Sequence, residues 1–226
     1  MPCSVNFWLT DPVEERFIRV PRTARFHTMG NARSAAEIWV VLHGYGQLAH
    51  FFIRPFVGLE TGRFIAAPEA LSRFYTDEAH TRVGATWMTR EDREHEMADQ
   101  VEYLDHLVQR LLAECGKPVP VNVLGFSQGV ATACRWAVRG KTTFAKAVLW
   151  SGTMPPELKP DELKRAFGKT ELTLVHGTSD AVTKEDVLLR NQQTMRESAL
   201  KQRTIQFAGG HQLDRITLVR VMGTEF

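Results

Sequence analysis

The chain has 226 residues, of which 43% are hydrophobic and 24% charged, and its formal net charge is +2 at pH 7. This balance is typical of a globular protein with one core, and it excludes a strong electrostatic attraction to nucleic acid or anionic lipid. Cys3, Cys115 and Cys134 are odd in number and widely spaced, which argues against a disulfide framework. No basic start precedes an apolar run, and no apolar stretch approaches the roughly 20 residues of a membrane span. We therefore predict one cytoplasmic domain over 1–226, with a secreted chain that has lost its signal as the alternative.

Six short apolar segments follow one another along the chain, each closed by glycine or proline. They begin at Ala36, Arg63, Pro120, Ala145, Glu171 and Arg203. Continuous apolar runs of this length are typical of strands buried on both faces of a parallel sheet. The N-terminal runs at 17–20 and 24–29 are predicted to add one or two edge strands.

Helical patterns lie between the apolar segments. The clearest covers 90–114, where apolar residues recur at steps of three and four: Met97, Val101, Leu104, Val108 and Leu111. Thr89 is predicted to cap this helix with Asp92 as the acid of a capping box, and Gly116 to end it. Further helices are predicted at 127–138, 184–199 and 213–222. Strands alternating with helices predict an α/β protein with a mainly parallel sheet and helices on both faces.

Residues 125–129 read G-F-S-Q-G, a G-x-S-x-G motif between a predicted strand and a predicted helix. In this setting the serine stands on a sharp turn with its hydroxyl above the end of the sheet, so Ser127 is the candidate nucleophile. The N–H of Gln128, near the positive end of the helix, is a candidate oxyanion donor. A glycine-flanked serine is more often an ordinary turn, and the interpretation therefore depends on partner residues.

A serine nucleophile needs a base, and the base needs an acid that orients it. His211 follows Gly209 and Gly210 directly after the last predicted strand, and Asp180 lies on a loop after the strand before it. The order Ser127, Asp180, His211 is the one expected for this strand–turn–helix arrangement.

Several residues compete for the roles of base and acid. His43 and His176 also end predicted strands, but histidines in such places usually bond loop backbone. Asp186 falls within a predicted helix, and Asp214 is better placed to cap one. We therefore retain His211 and Asp180.

Other residues are candidates for supporting roles. The glycine-rich turn L-H-G-Y-G-Q, 42–47, can aim the N–H of Tyr45 at the serine as a second oxyanion donor, although it also fits a plain strand–helix turn. Apolar side chains near predicted loops, Phe74, Tyr75, Trp87, Met88 and Met154, are candidates for an acyl pocket, with Trp87, Met88 and Met154 selected. Each of them alone is more often a packing residue.

The segment HEMAD, 95–99, lacks the second histidine of a metal motif, so we predict no metal site.

The segments LHGYGQ, GFSQG, HGTSDAV and GGH resemble, in order and spacing, the phospholipase/carboxylesterase family of α/β-hydrolases, which includes acyl-protein thioesterases. The resemblance spans 38–218 and implies the α/β-hydrolase fold, with Ser127, Asp180 and His211 as catalytic triad and the Tyr45 and Gln128 amides as oxyanion hole. It also implies hydrolysis of carboxylic esters or thioesters without a cofactor. The chain departs from the family pattern at Val130, Gln47 and Pro55 and in the sequence of 71–92. These departures leave its specificity for the acyl and alcohol groups open.

No insertion is long enough for a large lid, which favours small soluble ester or thioester substrates with short to medium acyl chains. Two other function classes remain open. A peptidase or acyltransferase would use the same triad, and a non-catalytic ligand-binding scaffold would share the fold, although the triad usually decays in such scaffolds.

Overall fold

A twisted sheet with helices on both faces forms the centre of the protein, for which the computed structural model describes residues 13–223. Within these residues lie nine strands: β1 (Phe26–Met29), β2 (Glu37–Leu42), β3 (Arg63–Pro68), β4 (Ser72–Tyr75), β5 (Val83–Thr86), β6 (Val121–Phe126), β7 (Lys146–Trp150), β8 (Glu171–Gly177) and β9 (Gln202–Phe207). Six α-helices accompany them: α1 (Ala49–Phe52), α2 (Arg93–Cys115), α3 (Gln128–Arg139), α4 (Pro160–Phe167), α5 (Glu185–Glu197) and α6 (Arg215–Met222).

Seven strands form the central sheet in the order β1-β3-β2-β6-β7-β8-β9. All neighbours pair in parallel except β1, which runs antiparallel to β3 at the edge. All six predicted parallel strands are confirmed, as is the edge strand expected at 24–29. The carboxyl ends of β6, β8 and β9, which precede the candidate site residues, therefore lie along one edge of the sheet.

Of the one or two edge strands predicted from the N-terminal runs, the structure has one, because the segment 17–20 is not part of the sheet. This segment has no regular secondary structure, and it contacts α2 instead. The ring of Phe17 lies 4.3 Å from that of His95, and Arg19 pairs with Glu102 at 3.1 Å. Contacts with the polar face of a helix thus give the segment an alternative to strand pairing.

Alternation along the strands separates two apolar layers. In β2, Ile38 and Val40 face a layer that contains side chains of α2, α3, α4 and α5, whereas Trp39 and Val41 face one that contains side chains of α1 and α6. Helices therefore cover both faces of the sheet, as predicted. No helix within 13–223 is long and apolar enough to cross a membrane.

The start of α2 differs from its prediction. The helix begins at Arg93, and Asp92 precedes it with φ +47 and without a capping bond from its side chain. Thr89 does not cap the helix either; its N–H and hydroxyl donate to Oε2 of Glu96 at 2.6 and 3.2 Å. The predicted end is confirmed, because Gly116 adopts φ +68, a left-handed conformation that glycine tolerates.

A two-stranded hairpin, β4–β5, occupies part of the segment after β3 that the sequence predicts as loop. It packs on the turn after β2: the N–H of Gly46 donates to the carbonyl of Ala85 at 2.9 Å, and Gln47 forms a β-bridge with Ala85. The hairpin therefore lies beside the sheet edge where β2 and β6 end.

Candidate active site

Ser127 lies in the one-residue turn between β6 and α3, with φ +54 and ψ −117. This is a strained conformation for a residue with a side chain, and such strain is concentrated at functional sites. Both flanking glycines are sterically required. A Cβ on Gly125 would lie 2.4 Å from the carbonyl oxygen of Gly129, and one on Gly129 would lie 2.3 Å from that of Leu42. The motif glycines thus let β6, α3 and β2 approach closely enough to hold Ser127 above the sheet.

His211 joins Ser127 from the loop after β9. Its Nε2 lies 2.9 Å from Oγ of Ser127, a hydrogen-bonding distance. The imidazole also packs against the ring of Phe126, tilted by 42° with 4.9 Å between ring centroids, and the following residue is fixed by a 3.0 Å bond from Nε1 of Trp150 to the carbonyl of Gln212. Packing and a backbone bond therefore hold the imidazole toward the serine.

Asp180 completes the chain of contacts from the loop after β8. Its Oδ2 lies 2.8 Å from Nδ1 of His211, and its Oδ1 accepts bonds from the N–H groups of Val182 and Thr183 at 2.9 and 2.7 Å. Burial by itself raises the pKa of Asp180, but these bonds, first that from Thr183 and then that from His211, outweigh it, so the pKa is lowered. The carboxylate is therefore held ionised and oriented toward His211.

The competing residues have other partners. Asp214 is the N-cap of α6 and accepts bonds from the N–H and hydroxyl of Thr217 at 2.8 and 2.7 Å. Asp186 lies on α5 and pairs with Arg190 at 2.5 Å. Among the bonds within 13–223, Asp180 provides the carboxylate that contacts His211.

His43 is fully buried and bonded to loop backbone on both sides. Its Nδ1 lies 2.7 Å from the carbonyl of Gly44, to which it donates, and its Nε2 accepts from the N–H of Ala70 at 3.1 Å. Burial lowers the pKa of this imidazole, although the Gly44 bond opposes the shift. His176 is also buried, within β8. Both histidines thus occupy the positions of packing residues.

The two predicted oxyanion donors belong to two segments that adjoin Ser127, the start of α3 and the turn after β2. Gln128 is the first residue of α3, so its N–H has no partner within the helix. Tyr45 belongs to the turn after β2, and a Cβ on Gly44 in that turn would lie 3.1 Å from Cβ of Ser127. The N–H of Gly44 donates to Oε1 of Gln47 at 2.8 Å, which closes the turn. Both roles remain predictions.

The predicted pocket residues differ in exposure. Trp87 and Met154 are 1% and 4% exposed and belong to the core layer that faces α2 and α3. Nε1 of Trp87 donates to the carbonyl of His43 at 2.8 Å, which fixes the ring there. Of the three, Met88 alone is partly exposed. Met88 is therefore the one that retains surface for an acyl chain.

Two structural features near the site were not predicted from the sequence. The side-chain amide of Gln128 binds the end of the hairpin: Oε1 accepts from the N–H of Trp87 at 3.1 Å, and Nε2 donates to Oγ1 of Thr86 at 2.9 Å and to the carbonyl of Met88 at 3.1 Å. Ser151, at the end of β7, is buried with φ +46. Only the placement of Gln128 next to the nucleophile offered a signal in the sequence.

Comparisons with known proteins agree with this architecture. The sequence model described as Phospholipase/Carboxylesterase matches residues 25–222. Solved structures with the same fold include esterase PE8, at 20% identity, and Zea mays acyl-protein thioesterase 2, at 21%. These alignments cover 90% and 89% of this chain and 98% and 97% of the other chains, each with a TM-score of 0.66.

A more distant structure, the Bacillus cereus carboxylesterase, has 11% identity, covers 89% of this chain and 92% of its own, and also gives a TM-score of 0.66. No curated protein matches the chain in sequence. Identities this low show the fold alone, whereas the family match extends over most of the chain. The protein belongs to the phospholipase/carboxylesterase family of α/β-hydrolases.

Proposed function

We propose that the protein hydrolyses carboxylic esters or thioesters of short to medium acyl chains through an acyl-enzyme, with Ser127 as nucleophile, His211 as general base and Asp180 as the orienting acid. One observation carries the proposal: the contacts from Oγ to Nε2 and from Nδ1 to Oδ2 are 2.9 and 2.8 Å long and form one continuous chain. Family membership supports hydrolase activity in general.

The proposed reaction begins with attack of Oγ of Ser127 on the carbonyl carbon of the substrate. His211 takes the hydroxyl proton on Nε2, and the ionised Asp180 stabilises the imidazolium that forms. The negative charge that develops on the substrate oxygen is directed to the N–H groups of Gln128 and Tyr45. Collapse of this intermediate breaks the bond to the alcohol or thiol, which leaves with the proton from His211.

Water then takes the place of the leaving group. His211 removes a proton from the water as its oxygen attacks the acyl carbon. The bond from that carbon to Oγ of Ser127 then breaks, and the imidazolium returns the proton to Oγ as the acid product is released. The same residues serve both halves of the reaction, and no step requires a metal or an organic cofactor.

The acyl chain is proposed to lie on the hairpin side of the site. Met88 is partly exposed there, and the rings of Tyr45 and Phe74 pack in a tilted arrangement with centroids 5.0 Å apart. Tyr45 is 63% exposed, so this aromatic pair offers apolar surface at the sheet edge near Ser127. A surface assembled from a few side chains suits short and medium chains better than long ones.

The test compares wild-type protein with Ser127→Ala on p-nitrophenyl esters of graded chain length, on a matched thioester series and on p-nitroanilides. We expect ester and thioester hydrolysis by wild type alone, a preference for shorter chains and no rise in rate when micelles form. If wild type cleaves the anilides but does not hydrolyse the esters, the result would support a peptidase instead. A sharp rise at the micelle threshold would show interfacial activation and contradict the proposed specificity.

We also propose that the chain works in the cytoplasm. Cys115 and Cys134 are free and buried, and burial raises the pKa of Cys134 to about 12, so this thiol stays protonated and unreactive. Cys3 lies outside the described residues. Fractionation of the native source tests the proposal, and recovery of the chain from a secreted fraction would contradict it.

A further inference from the structure

A broad groove lies at the edge of the sheet opposite Ser127. It is bounded by the starts of β6, β7 and β8 and by the ends of α2 and α4, and its volume is about 1400 Å³. Strand β6 connects the two edges with six residues, which at about 3.3 Å each separate the groove from Ser127 by on the order of 20 Å. A small ester bound at Ser127 does not reach this groove, so the groove is a separate site.

Five exposed cations line this basic groove: Lys117, Lys141, Lys164, Arg165 and Lys169. None of them forms an ion pair with any residue in the part of the chain that the structure describes. The whole chain carries a net charge of only +2, so this is a local concentration of positive charge. Unpaired cations around one concavity raise the local concentration of anions.

Among the described residues that line the groove, Asp105 is the one acid, and its carboxylate already accepts hydrogen bonds within the protein. Its carboxylate is buried and accepts bonds from Nε1 of Trp136 at 2.8 Å, from the N–H of Lys141 at 2.7 Å and from the hydroxyl of Thr142 at 2.7 Å. Asp105 therefore shapes the loop at the start of β7, and its oxygen atoms do not face an incoming ligand as free acceptors.

The floor of the basic groove is apolar. Leu112, Val119 and Ala166 are partly buried and pack against the core layer that includes Phe144, which is 5% exposed. Cations at the rim and aliphatic side chains below favour a ligand that carries acidic groups and apolar groups along its length.

We propose that the basic groove binds an acidic, partly apolar peptide segment of a partner protein. The groove is larger than the roughly 300–1,000 Å³ of usual small-molecule sites. Within 13–223 its lining presents no exposed aromatic ring on which a single-stranded nucleic acid base would stack, since Phe144 is the aromatic residue there and is buried. Its larger aliphatic side chains, Leu112 and Val119, are partly buried, which disfavours insertion into a bilayer.

The test measures fluorescence anisotropy of a labelled synthetic peptide of repeated glutamate–glutamate–leucine triplets at low and high salt. Wild-type protein should bind it saturably, and more weakly at high salt. The double variant Lys141→Glu with Lys169→Glu should lose affinity by about tenfold or more, because attraction at the rim becomes repulsion. The matched double variant Lys201→Glu with Arg220→Glu has the same net charge at exposed positions outside the groove and should bind like wild type.

Thermal midpoints of both double variants establish that they are folded, and the milder pair Lys141→Gln with Lys169→Gln replaces the reversed pair if that does not fold. Failure of wild type to bind the peptide, or equal losses in the groove and control variants, would overturn the proposal. A single-stranded RNA or phosphatidylserine vesicles that bind in a groove-dependent manner, while the peptide does not, would overturn the choice of a peptide. These binding and stability measurements do not depend on esterase activity, so they test the basic groove separately from the proposed function.

Discussion

Gly152, the second residue after β7, packs against the backbone of Ser127: a Cβ built on Gly152 would lie 2.2 Å from the carbonyl oxygen of Ser127. The same Cβ would lie 2.5 Å from Cγ2 of Val130 in the first turn of α3. From the other side, Nδ2 of Asn191 donates to the carbonyl of Gly152 at 2.8 Å. The turn that carries Ser127 is therefore supported by the neighbouring strand at a position with no room for a side chain.

Replacement of Gly152 by alanine should displace the nucleophile. The clash involves backbone rather than a flexible side-chain end, so Gly152→Ala should cost about 1–3 kcal/mol of unfolding free energy as overpacking. It should also lower kcat/KM by more than its small loss of folded population explains. Urea unfolding measures the change in unfolding free energy, and ester kinetics measure the change in kcat/KM.

Gly210→Ala is the matched control, since a Cβ there would meet only the carbonyl oxygen of Ser179 at an ordinary 3.7 Å. Gly210 adjoins His211 in sequence, yet its replacement should leave stability and kcat/KM nearly unchanged. Equal kinetic losses in the two variants would contradict the special role of the Gly152 contact.

The assignment of the acid is tested by Asp180→Asn and Asp214→Asn. An amide at Asp180 can still accept from the N–H groups of Val182 and Thr183, so the fold should persist, while kcat should fall by about a thousandfold or more because the amide favours the wrong imidazole tautomer. Asp214→Asn should cost at most about 1 kcal/mol through a weaker helix cap and leave kcat nearly intact. Kinetics and thermal melts on both variants decide between the two carboxylates, and an inactive Asp214→Asn beside an active Asp180→Asn would reverse the assignment.

The acid limb of the pH profile should have unit slope. A neutral His211 is required as base, so kcat/KM should fall tenfold for each pH unit as the imidazole gains a proton. The pKa of Asp180 is lowered, hence its carboxylate stays ionised through this range and adds no second protonation step. A pH–rate profile on a soluble ester checks the slope, and a slope of two would contradict the assignment of Asp180 as a permanently ionised partner.

His43 should make the protein less stable in mild acid. Its folded pKa is below the ordinary 6.5, so the unfolded chain binds a proton more readily, and the free energy of unfolding should fall as the pH drops below about 6.5. His43→Asn removes this titration and should flatten the dependence, even though the variant is less stable throughout. Urea unfolding at several pH values measures the slope, with the exposed His106→Asn as control, and an unchanged slope in His43→Asn would contradict the prediction.

Local sequence was sufficient for the nucleophile turn, because strand, turn and helix are contiguous from Val121 to Arg139 and the two glycines have a steric purpose. Asp180 and His211 were predictable because parallel strands bring their carboxyl ends to one edge. Long-range packing determined what was missed. The segment at 17–20 resembles a strand but contacts α2, and the hairpin depends on the turn at Gly46 rather than on its own apolar pattern.

Burial and surface charge were also beyond local patterns. Trp87 and Met154 lie next to predicted loops, and only the packed structure shows that they belong to the core. The cations of the basic groove come from three separate segments that the sheet brings together at one edge. They therefore form no charged run from which the sequence could predict the groove.

The most direct test of the account is covalent labelling of the folded protein with a fluorophosphonate, followed by peptide mapping. Activation of the serine by His211 predicts one adduct, on the peptide that contains Ser127, and its loss in Ser127→Ala along with a drop in kcat on the order of a millionfold. An adduct on Ser151 or Ser179, or labelling that persists in Ser127→Ala, would contradict the assignment of Ser127 as nucleophile.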